Sequence, residues 1–100
     1  MSQELSVEAT RLYRKIAKEW AIRDQAGQLL LRTAMQAFDE MGAARTVLET
    51  EGVYVHDRFK QTRLHPAAQR EREARAHMLQ ALKSLNLDLS SLDEGPHAKT

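Results

Sequence analysis

The chain contains no cysteine, only 2 prolines and 4 glycines in 100 residues, and 5% aromatics. Without cysteine there is neither a disulfide framework nor a thiolate metal site. The glycines stand apart at 27, 42, 52 and 95. No glycine-rich loop can therefore cradle a phosphate, which argues against ATP hydrolysis by this chain. No apolar run exceeds three residues, as in Leu29-Leu30-Leu31. That is too short for a transmembrane helix or a signal-peptide core, so no membrane association is expected. Scarce aromatics and prolines disfavour a β-sandwich and favour helices. The formal net charge of +1 excludes a globally cationic nucleic-acid coat. Any such contact has to come from local patches. A chain of this length forms one small domain with a modest core, for which self-association is a natural route to stability.

Helical periodicity dominates what is present. Ser6 suits the N-cap of a first helix over about residues 6–21. Leu5, Ala9, Leu12, Ile16 and Trp20 recur at spacings of 4, 3, 4 and 4, one apolar face of a 3.6-residue period. Arg11, Arg14, Lys15 and Lys18 fall on the opposite face. After a short connection, Asp24 suits the N-cap of a long helix running to about Thr50. Leu30, Ala34, Ala37, Met41, Ala44 and Leu48 repeat in heptad fashion, and Leu31, Met35 and Phe38 widen the stripe. Such a helix spans roughly 40 Å. Gly42 inside it points to a bend or a close helix crossing, and Gly52 to an αL terminus.

From Val53 the pattern changes. Val53-Tyr54-Val55 is β-branched and aromatic, and Asp57-Arg58 fits the tip of a small hairpin with Lys60 to Leu64 returning. An isolated hairpin is marginal and is expected to lean on the helices or on a neighbouring subunit. Pro66 suits the first position of a third helix, about 66–85, with His65 as its cap. Ala67, Ala74, Met78, Ala81 and Leu85 share one face, with Leu82 beside them. Glu71 interrupts that face and can pair with Arg75. Asn86 reads as the stop. The fold expected is mainly α: short helix, long helix, small β-hairpin, helix, with the longer helices antiparallel. Residues 1–88 form the domain and residues 89–100 an extended or disordered tail.

Chemistry-bearing residues are sparse. His56, His65, His77 and His97 form no recognisable ligand spacing; His56 and His65 could meet across the hairpin, or simply be turn residues. Ser90-Ser91 have no base nearby. Asp39-Glu40 are adjacent on a helix and point to different faces. No catalytic residue, cofactor or metal is expected. Arg58, Lys60 and Arg63 give residues 57–63 a net charge of +2, and loops of this kind grip phosphates. Phe59 lies among them, either to stack on a partner or to anchor the turn in the core. The first-helix cations Arg11, Arg14, Lys15 and Lys18 admit the same reading, or that of a solvated face beside Glu4, Glu8 and Glu19. Leu30, Ala34, Phe38, Met41, Leu48, Met78, Leu82 and Leu85 are the expected core and subunit-packing positions.

Asp57-Arg58-Phe59-Lys60-Gln61, His65-Pro66, Glu71-Arg72-Glu73-Ala74-Arg75 and Leu85-Asn86-Leu87-Asp88, in that order, resemble segments of a family of phage terminase small subunits. Asp24 and Met35 to Met41 extend the resemblance, which covers about residues 21–88. Relatives often carry glycine where Lys60 stands, and many have a separate N-terminal DNA-recognition domain for which about 20 residues leave no room. The resemblance implies a non-enzymatic homo-oligomeric ring in the cytoplasm of a phage-infected bacterium. It would bind phage double-stranded DNA and a large terminase subunit that carries the ATPase and nuclease. The competing expectation is a helical adaptor oligomer that binds a protein partner and no DNA.

Overall fold

The computed structural model describes residues 4–86. Their order is α1 (Val7–Glu19), α2 (Gln25–Glu51), β1 (Tyr54–His56), β2 (Thr62–Leu64) and α3 (Pro66–Ser84). The mainly helical architecture with one small antiparallel hairpin is as the periodicity predicts, with helix limits shifted by one or two residues. The expected tail, with Ser90, Ser91 and His97, lies outside the described residues.

Each helix begins where a side chain can satisfy its free N–H groups. Ser6 Oγ accepts from the Ala9 N–H at 3.0 Å. Ser6 is itself held by Asp39 of α2, which accepts from its N–H at 2.8 Å and from its hydroxyl at 2.6 Å. One serine thus caps α1 and ties it to the middle of α2. Asp24 accepts from the Gly27 N–H at 2.9 Å. A Cβ at Gly27 would lie 2.9 Å from both Asp24 Oδ1 and Ile22 Cγ2, so this cap needs glycine three residues on. His65 caps α3 through its ring, Nδ1 accepting from the Ala67 N–H at 3.0 Å.

The helix ends differ more from expectation. α1 closes with the Ile22 N–H on Ala17 O and the Ala21 N–H on Lys18 O, the paired bonds of a Schellman motif. Its left-handed position is Ala21, with φ 52°, where glycine is the usual residue. At the end of α2, Gly52 has φ 87° and ψ 161°. The αL terminus expected there does not form, because the extended ψ sends the chain directly into β1. Asn86, with φ 64°, does stop α3.

The three helices share one core. Ala9 and Ile16 of α1 meet Leu31, Ala34 and Met35 of α2 and Ala81 and Leu82 of α3, with Trp20, Phe38, Met78 and Leu85 partly buried against them. Full burial of Leu31 contributes about 1.5–3 kcal/mol. Leu30, Met41 and Leu48 are half-buried. Ser6–Asp39 fixes α1 along the first half of α2, so the second half has only α3 beside it. There the buried residues are Ala44, Ala67 and Ala74. The seam is thin, and Arg45 and Arg75 brace it through Glu71 at 2.8 and 3.3 Å. Both arginines are exposed enough that this brace is worth little. A Cβ at Gly42 would meet nothing within 4 Å. Of the bend or close helix crossing expected there, the crossing does not form among the described residues, because Gly42 faces outward.

Candidate nucleic-acid interface

The hairpin stands at the far end of the α2–α3 pair. Tyr54 pairs with Leu64, Val55 with Arg63 and His56 with Thr62. Alternation puts Tyr54, His56, Thr62 and Leu64 on one face and Val55 and Arg63 on the other. Of the two supports expected for it, the helices or a neighbouring subunit, the helices cover little: Val55 is half-buried, but Tyr54 is 66% exposed and Leu64 45%. Anchorage is confined to the base. The His65 N–H donates to Val53 O, and His65 Nε2 meets Glu51 Oε1 at 2.8 Å. Since Nδ1 accepts from Ala67, the ring proton sits on Nε2 and is donated to Glu51. Both ring nitrogens are committed, which removes His65 from any metal pairing with His56. Among the described residues no group of three or more His, Cys, Asp or Glu could hold a metal ion.

Asp57 organises the tip. Its Oδ1 accepts from the Phe59 N–H at 2.8 Å and from the Gln61 N–H at 3.0 Å, an Asx turn. Its own N–H donates to Gln61 O, and its carbonyl accepts from Lys60. Lys60 takes φ 62°, a region that favours glycine. The three basic residues are brought together and left outside. Arg58, Lys60 and Arg63 are exposed, and Arg63 stands 3.8 Å from Asp57 Oδ2, a loose pair that leaves its guanidinium available. Phe59 is not anchored in the core: it is 72% exposed, with the Arg58 guanidinium 5.5 Å from its ring centroid.

The other candidate cations form a separate surface. Arg11, Arg14, Lys15 and Lys18 lie on α1, outside the core. That helix packs beside the first half of α2, so they are not brought to the hairpin. Arg14 borders a shallow groove with Leu5, Thr10, Tyr13 and Arg32, and Arg11 joins it at an adjoining one beside Val7. Sequence reasoning missed the organising role of Asp57. The signal was available: an aspartate at the first position of a tight turn can accept from the N–H two residues on. Among the described residues no helix is long and apolar enough to cross a membrane. No family model, no curated protein and no solved structure matches the chain.

Proposed function

We propose that this protein is a non-catalytic DNA-binding subunit of a phage packaging machine, akin to the small terminase subunits that its motifs resemble. The carrying observation is the outer part of the hairpin, where Arg58 and Lys60 project from a turn fixed by Asp57 and Arg63 of β2 stands 3.8 Å from the same aspartate. A preorganised cluster of cations meets phosphates at little entropic cost. One subunit offers few contacts, so useful affinity comes from repetition in a homo-oligomeric ring. In this reading the ring presents double-stranded DNA to a large subunit supplying ATPase and nuclease, in the bacterial cytoplasm.

The test is an electrophoretic shift with phage DNA over a salt series. Replacing Arg58, Lys60 and Arg63 together with alanine should weaken binding. It should also flatten the log–log salt slope by about 0.9 for each phosphate that the variant no longer neutralises. The solution mass by light scattering should not change. Unchanged affinity would remove these residues from the reading. A second reading, an adaptor that binds a protein partner without touching DNA, has its own support in Val7 and Leu29, which are 72% and 66% exposed. It predicts no shift at any salt concentration.

A further inference from the structure

Phe59 is the least expected residue to find in water. It is 72% exposed in the turn of the hairpin, yet its backbone is fixed, with its N–H on Asp57 Oδ1 at 2.8 Å and Lys60 tied into the same turn. A ring held out in this way on a hydrogen-bonded turn is shaped to enter something. Its immediate neighbours narrow the choice of partner. Arg58 precedes it and Lys60 follows, so burying the ring in an apolar protein pocket would drag two cations with it, which is costly without paired acids. A polyanion with stacked planar faces accepts all three side chains together.

We infer that Phe59 is a wedge that inserts between base pairs of double-stranded DNA, while Arg58 and Lys60 hold the phosphates on either side. This rests on the DNA-binding reading above and adds the state of DNA preferred: a duplex that is easily unstacked and kinked. Apolar wedges of this kind partly open a base step and bend the helix, at a cost that falls where the step is already weak. In the free protein the Arg58 guanidinium beside the ring shields part of its face. That contact is weak at an exposed site and is readily exchanged for a base.

The test compares the full chain and Phe59→Ala on two end-labelled duplexes of equal length. One is fully paired and the other carries a two-base bulge, and binding and end-to-end energy transfer are read together. The wild type should bind the bulged duplex about tenfold more tightly and bend both. Phe59→Ala should lose the preference and the bending while holding the paired duplex with an unchanged salt slope, because the cations that meet the phosphates are all still present. Phe59→Leu, which keeps an apolar wedge, should restore part of the bending. Bending and preference that survive in Phe59→Ala would overturn the wedge and leave DNA binding intact. A wild type that binds neither duplex would overturn the DNA-binding reading and the wedge with it. A fall in solution mass in Phe59→Ala would overturn the wedge by assigning the ring to a contact between copies of the chain.

Discussion

Lys60 offers a way to separate backbone strain from charge at the hairpin tip. Its φ of 62° costs an L-residue roughly 1–2 kcal/mol, which glycine avoids. Glycine forfeits part of that advantage, on the order of 0.5–1 kcal/mol, through its greater freedom when unfolded. Lys60→Gly and Lys60→Ala remove the same charge, but only the first relieves the backbone. The turn should therefore be more stable in Lys60→Gly than in Lys60→Ala by about 1 kcal/mol, a factor of about five in its opening equilibrium. Hydrogen exchange reads this directly at the Asp57 and Gln61 amides, whose partners lie within the turn at 3.0 Å. Under the proposed DNA-binding reading the two variants should share one reduced salt slope, because both lack the same cation. Equal protection of these amides in the two variants would refute the left-handed conformation. Unequal salt slopes would show that the turn, and not the charge, governs the proposed interaction with DNA.

Two further substitutions test the helical body. Ala21→Gly should raise the urea midpoint at unchanged m, equivalent to about 0.5–1 kcal/mol, because Ala21 holds the left-handed position of a Schellman motif; no gain would mean that α1 ends differently in solution. Gly42→Ala should stabilise α2 by up to about 1 kcal/mol, since a Cβ there meets nothing within 4 Å. The solution mass by light scattering should stay the same, and a drop would place a second copy of the chain against that face.

Periodicity and capping made the helices readable in advance, because both are local. Ser6, Asp24 and His65 stand at the caps with their side chains on the N–H groups of the first turn. Of the expected core positions, Ala34 and Leu82 are buried and Phe38, Met78 and Leu85 pack against them, because burial follows the 3.6-residue period, whereas Leu30, Met41 and Leu48 are only half-buried. Other features depend on what lies across the fold or on a single dihedral angle. Nothing in the neighbourhood of Gly42 reveals whether a helix crosses there. The extended ψ of Gly52 is set by the strand that follows it. At the candidate site the cations were legible as a cluster, and Lys60 stands where a glycine is common in the resembling family. That it adopts the glycine-like φ required the folded turn. Phe59 could be read as anchor or as exposed tip, and only the exposure of the strands, which the helices cover little, decided between them.

The pairing of α2 with α3 fixes an order in which the chain can assemble. Glu51 meets His65 across 14 residues and Arg45 meets Glu71 across 26, whereas Leu31 and Leu82 in the main core are far more distant in sequence. Closing a short loop sacrifices less chain entropy than closing a long one, by about 0.6 kcal/mol for each doubling, so contacts beside the hairpin are the cheaper ones to form first. The alanine-lined end, which holds least of the final stability, is the end that can form first. The large side chains of the main core are covered in part by Ala9 and Ile16 of α1. A segment with few strong contacts of its own thereby sets the register for those that have them, and a slip at Glu51 and His65 would be inherited by every layer below.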